Sequence, residues 1–132
     1  MAAFCATFAH AQEKRSALSD EQKTFLAQYE AVRAGLAADD LAATKKAAAM
    51  ISAAPATESA KNIAAADSIE KARESFKALS KQAVVIAEGQ VGYYQAHCPM
   101  VPNDEGNWVQ TSKKISNPYF GKSMATCGSI EN

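Results

Sequence analysis

Two short runs in the last third of the chain gather soft donor atoms, His97-Cys98-Pro99-Met100 and Met124-Ala125-Thr126-Cys127-Gly128. Thiolates and thioethers hold Cu(I), Ag(I) and similar soft cations in preference to hard ones. Cys98, Met100, Met124 and Cys127 are therefore candidate metal ligands, with the His97 imidazole as a further candidate. A residue before proline is driven to extended backbone, and alternate residues of extended chain share a face. Cys98 and Met100 can then share a face, which His97 need not. Met124 and Cys127 are three apart, which puts both sulfurs on one face of a helical turn. Neither run has the Cys-x-x-Cys or His-x-x-x-His spacing of a structural zinc site. A lone sulfur pair of either kind most simply fills a core; two such pairs in one small region are read as a site. The first alternative is a structural or interaction module with a Cys98–Cys127 disulfide; the second, a thiol-redox protein, would need an exposed cysteine of low pKa. In an oxidising compartment two cysteines pair by default, and closing a loop of about 30 residues would stabilise the fold by roughly 3.5 kcal/mol.

The compartment follows from the N-terminus. Met1 to Ala11 is a short apolar run ending in Ala9-His10-Ala11, and Gln12-Glu13-Lys14-Arg15 is polar. Small residues at Ala9 and Ala11 fit a signal-peptidase site, so residues 1–11 read as a truncated signal peptide and Gln12 as the first mature residue. Phe4 is too bulky for lipoprotein processing at Cys5. Export to the periplasm or outside the cell would remove Cys5 and His10, leaving Cys98, Cys127 and His97 as the mature cysteines and histidine. Residues 12–132 are then one small domain. Lys+Arg and Asp+Glu both total 14, so no basic stripe is available to neutralise phosphates and a nucleic-acid partner is not expected. No apolar stretch is long enough to span a membrane.

Catalysis is not expected. Adjacent strand residues diverge, which separates Cys98 from His97 as a nucleophile and base, and no nucleophile elbow or glycine-rich phosphate loop occurs. Glu30, Glu58, Glu70, Glu74 and Glu88 read as solvated helix surface, and Trp108, Tyr93, Tyr94, Tyr119 and Phe120 as the core of the C-terminal region.

The support for the sulfur runs is helical, from about residue 19 to 90. Ser19-Asp20-Glu21-Gln22 has the form of a capping box, followed by an apolar stripe through Leu26, Tyr29, Val32 (or the stem of Arg33) and Leu36. Gly35 weakens that helix near its end. Asp39 or Asp40 can cap an alanine-rich second helix reaching Ile51 and ending before Pro55. Residues 54–59 read as a loop and 60–66 as a short helical turn. After Asp67-Ser68-Ile69-Glu70, the positions Ile69, Ala72, Phe76, Leu79, Ala83 and Ile86 form a heptad-like seam that Gly89 and Gly92 end. Short strands are expected at residues 91–95 and 108–110. The expected fold is mainly α, a three- or four-helix bundle with a small C-terminal lobe of short strands and loops over residues 91–132.

Several pieces together carry a family resemblance: Phe76-Lys77-Ala78-Leu79-Ser80, Cys98-Pro99-Met100, Trp108-Val109, Ile115-Ser116-Asn117-Pro118-Tyr119-Phe120-Gly121 and Met124-Ala125-Thr126-Cys127-Gly128. In that order, over about residues 25–130, the chain resembles the DUF3347 domain of exported bacterial proteins and heavy-metal efflux adaptors. Tyr94 to Pro102 is also similar to the Tyr-x-Cys-Pro-Met-His-Pro element of small heavy-metal-binding domains, with a longer Tyr-to-Cys gap and Val101 in place of the histidine. The resemblance implies a periplasmic accessory protein for copper or silver handling, whose partner is a metal-efflux adaptor or another envelope protein.

Overall fold

The computed structural model describes residues 17–131. The expected signal peptide, its cleavage site before Gln12, Cys5 and His10 lie outside the described residues. The fold is mainly α, with four helices and one small sheet: α1 Asp20–Ala37, α2 Leu41–Ala49, α3 Thr57–Ala64 and α4 Ile69–Ala87, then β1 Tyr94–His97, β2 Asn107–Gln110 and β3 Ser129–Ile130. The strands are antiparallel in the order β2-β1-β3. No described helix is long and apolar enough to cross a membrane.

The helix starts are where the side chains dictate. Ser19 accepts from the Gln22 backbone N–H while the Gln22 side chain accepts from the Ser19 N–H, a reciprocal capping box. Asp40, rather than Asp39, caps α2, and Ser68 caps α4. The expected turn at 60–66 is a full helix that begins earlier, at Thr57 inside the expected loop. Buried Ala60 and Ile63 fix its inner face.

Gly35 has a different role from a helix weakener. Helix α1 continues past it to Ala37, and a methyl group at position 35 would lie 2.6 Å from Thr44 Oγ1 and 2.9 Å from the Thr44 backbone nitrogen. The missing side chain is what lets α2 cross close to α1. Gly→Ala in an open helix gains up to about 1 kcal/mol, whereas overpacking a close contact costs roughly 1–3 kcal/mol. Because one obstructing atom is backbone, the second effect should win. Gly35→Ala is expected to destabilise by about 1 kcal/mol in chemical denaturation; a stabilised variant would show that the crossing relaxes freely.

The seam of α4 faces inward as its spacing predicts: Ala72, Phe76, Leu79 and Ala83 are fully buried, and its ends Ile69 and Ile86 are half-buried. A chain of rings then crosses the molecule. Phe25 and Tyr29 of α1 have centroids 6.3 Å apart, and Tyr29 stacks on Phe76 of α4 at 5.1 Å. Phe76 meets Tyr119 at 5.7 Å, and Tyr119 meets the edge of Trp108 on β2 at 6.1 Å. Helices and C-terminal region therefore share one core. Of the five aromatics expected inside that region, Trp108 and Tyr119 are buried, while Tyr93, Tyr94 and Phe120 are half-buried.

The strands correct the expectation in two places. Strand β1 starts at Tyr94, because Val91 is almost wholly exposed and Gly92 turns with φ +89°. Pairing with β2, from Tyr94↔Gln110 to His97↔Asn107, sets its extent. Strand β3 is only two residues and exists through its pairing with β1.

Candidate functional site

The pairing of β1 with β3 brings the two sulfur runs together. His97 lies opposite Ser129 and Ala96 opposite Ile130, so Cys98 leaves the sheet where Cys127-Gly128 enters it. Gly128 adopts φ +129°, and a side chain there would meet the His97 carbonyl at 2.8 Å and Trp108 at 2.9 Å. Only glycine admits this approach at no steric cost. Cys98 also closes the loop that follows it. Its N–H donates to the Gly106 carbonyl at 2.9 Å and its carbonyl accepts from the Val101 N–H at 3.4 Å.

The Cys98 side chain is completely buried, Cys127 is half-buried, and both are free thiols. Hydrogen bonding to the neighbouring Cys98 thiol is the main cause that holds the Cys127 pKa above the ordinary thiol value, with burial and the Cys98 charge adding to it; the Met100 backbone N–H opposes the shift.

The other candidates stand differently. Residues 98–101 form a turn closed by the Val101 N–H to Cys98 carbonyl bond, so the extended backbone expected here does not form and Cys98 and Met100 do not share a strand face. Pro99 sits at the first corner of that turn, where its fixed φ is an advantage. Met100 is 59% exposed. Met124 is half-buried and lies one helical turn before Cys127, whose N–H donates to the Met124 carbonyl at 3.1 Å. His97 is turned away, as strand alternation requires. Its Nδ1 is 3.0 Å from Asn107 Oδ1 and its Nε2 is 3.1 Å from Asp104 Oδ1, so both ring nitrogens already have partners. Among the described residues, no three His, Cys, Asp or Glu side chains come together as a metal-holding group.

Residues that sequence reasoning gave no part in the site fix the segment from Ser116 to Pro118, and Asn117 ties it to Cys127. Asn117 is fully buried; its Oδ1 accepts from the Tyr119 N–H at 2.7 Å and the Phe120 N–H at 3.1 Å, and its Nδ2 donates to the Cys127 carbonyl at 2.9 Å. The Asn-Pro pair is a turn signal, since an asparagine side chain mimics backbone, but its reach to Cys127 is long-range. Arg33, read as a possible apolar stem, is a buried clamp. It forks onto Glu30 at 2.7 and 2.8 Å and donates to the Ser116 carbonyl at 2.9 Å. Glu30 is thus a partner and not merely solvated surface. Arg73 of α4 donates to the carbonyls of Pro118 and Leu36, both at 2.8 Å, and to Asp39 at 2.7 Å. That bond, with the Lys122 N–H, lowers the Asp39 pKa below the usual carboxylate value. Buried Gln110 accepts from Trp108 Nε1 and the Ser116 N–H while donating to the carbonyls of Ser112 and Lys114, and so shapes the strand-to-Asn117 connection. Tyr119 and Tyr29 are kept protonated by burial; the Tyr119 hydroxyl donates to the Asn107 carbonyl at 2.6 Å.

Comparison of the chain with protein-family models, with curated proteins and with solved structures finds no match.

Proposed function

We propose that the chain is an exported, non-enzymatic accessory domain of the DUF3347 type that binds Cu(I) or Ag(I) through Cys98 and Cys127 and serves metal efflux in the periplasm. The observation that carries this reading is the placement of the two free cysteines side by side at the β1–β3 junction. Paired thiolates are soft donors whose mutual repulsion a monovalent soft cation relieves. Any further donor is a thioether from Met100 or Met124, on the turns that bear the two cysteines; this favours copper or silver over zinc. His97 is engaged by Asp104 and Asn107 and is at most a supporting residue. The partner is a metal-efflux adaptor or another envelope protein that accepts the ion.

Titration of the reduced protein with Cu(I) against a competing chelator tests the reading. About one ion per chain is expected. Cys98→Ser and Cys127→Ser should each weaken binding by tenfold or more, equivalent to about 1.4 kcal/mol, and His97→Ala should change it much less. Affinity should rise with pH, because ligation displaces thiol protons and the Cys127 proton is held more tightly than usual. Equal retention of copper by both cysteine variants would move the site elsewhere and leave an envelope interaction module with a Cys98–Cys127 disulfide as the better reading.

A further inference from the structure

We propose that Cys98 and Cys127 are a thiol–disulfide exchange pair with a fixed order, Cys127 meeting the oxidant and Cys98 completing the bond, so that oxidation withdraws both thiolates from the metal site. The exchange order stands on the geometry of the thiols; only its coupling to metal release rests on the function proposed above.

Access sets the order. The β1–β3 register sets the two cysteines side by side, yet Cys98 has 0% of its surface exposed whereas Cys127 is partly open to solvent. A small disulfide can therefore be engaged by Cys127 alone. In the first step the Cys127 thiolate attacks one sulfur of a low-molecular-weight disulfide such as oxidised glutathione, forming a mixed disulfide and releasing one glutathione thiolate. In the second, the Cys98 thiolate attacks the Cys127 sulfur and expels the other glutathione. Two electrons pass from the protein to glutathione, and the two protons given up by the cysteines end on the two glutathione thiols.

The surroundings suit a bond that opens and closes within a folded protein. Cys98 is anchored through its backbone to Gly106 and Val101, and Cys127 through its backbone to Asn117 and Met124. His97 and Ser129 are paired across the sheet beside them. None of these ties passes through sulfur, so the two runs stay adjacent with the thiols free. A disulfide here is not needed to build the lobe.

The test uses the full chain carrying Cys5→Ser, reduced, then exposed to oxidised glutathione and quenched with acid for intact-mass measurement. The parent should lose two hydrogens without a lasting adduct. Cys98→Ser should trap one glutathione, and Cys127→Ser should stay unmodified while folded, with Cys98→Ala and Cys127→Ala as a second pair checked by circular dichroism. Equal glutathione uptake by the two single variants, or a parent that stops at the adduct, would overturn the order. Cu(I) titration of the reduced and oxidised parent then reads the coupling. Binding by the reduced form only supports it, and equal binding by both overturns it. A reduced form that binds no Cu(I) sinks the metal reading and the coupling with it, whereas the masses alone decide the exchange order.

Discussion

Phe76→Ala is expected to lower the free energy of unfolding by about 3–5 kcal/mol, the range for truncating a buried aromatic to alanine. Phe76 has no exposed surface, stacks on Tyr29 at 5.1 Å and meets Tyr119 at 5.7 Å. Its ring is the middle link between α1 and the C-terminal region. Collapse into the space is restricted from both sides. The Tyr29 hydroxyl is 2.7 Å from Ser80 Oγ and accepts from the Val109 N–H at 3.2 Å, while the Tyr119 hydroxyl is fixed on Asn107. A cavity that cannot close keeps its full cost, and aromatic pairing of roughly 0.5–1.5 kcal/mol is lost as well. Set against the 5–15 kcal/mol typical of a small domain, the change removes about a fifth of the stability or more. Urea denaturation measures it directly. A loss under about 1 kcal/mol would mean that the ring chain is not what joins helices to sheet.

Phe76 was visible from the sequence because its signal is local. The steps from Ile69 to Ile86 select one face of one helix, and Ser19, Asp40 and Ser68 announce helix starts through bonds made three residues away. The sulfur runs were also legible as a pair of clusters, and the structure brings Cys98 and Cys127 together. Most of the misreadings involve partners supplied by other parts of the chain. Residues 91–95 carry strand-forming side chains, but a strand ends where its partner ends, and the partner β2 lies opposite 94–97. The two-residue β3 has no local pattern to find. Cys98-Pro99-Met100 was expected to be extended because of its proline, yet the turn closing at Val101 and the Gly106 carbonyl waiting for the Cys98 N–H determine the backbone. Arg33 and Arg73 sit in helices where an arginine reads as surface. Their targets, the carbonyls of Ser116 and Pro118, are 83 and 45 residues away.

The second large effect is expected at Asn117, for the same long-range reason. Asn117→Ala removes one acceptor shared by the Tyr119 and Phe120 N–H groups and one donor to the Cys127 carbonyl. A buried polar group left without a partner costs about 1–3 kcal/mol. Tyr119 is buried and pays that in full, while Phe120 and Cys127 are half-buried and recover part of it from water. About 3 kcal/mol is the expected total, again by urea denaturation. The damage should not be uniform. The Asn117 N–H still donates to the Ala125 carbonyl and β3 still pairs with β1, so the segment stays near its place. What goes is the tie that fixes the Cys127 carbonyl, and with it the position of the sulfur against Cys98. Cu(I) affinity measured on folded Asn117→Ala should therefore fall even though no donor atom has been changed. Unchanged affinity with reduced stability would mean that the β1–β3 pairing alone positions Cys127; a stability loss under about 1 kcal/mol would mean that water replaces all three bonds.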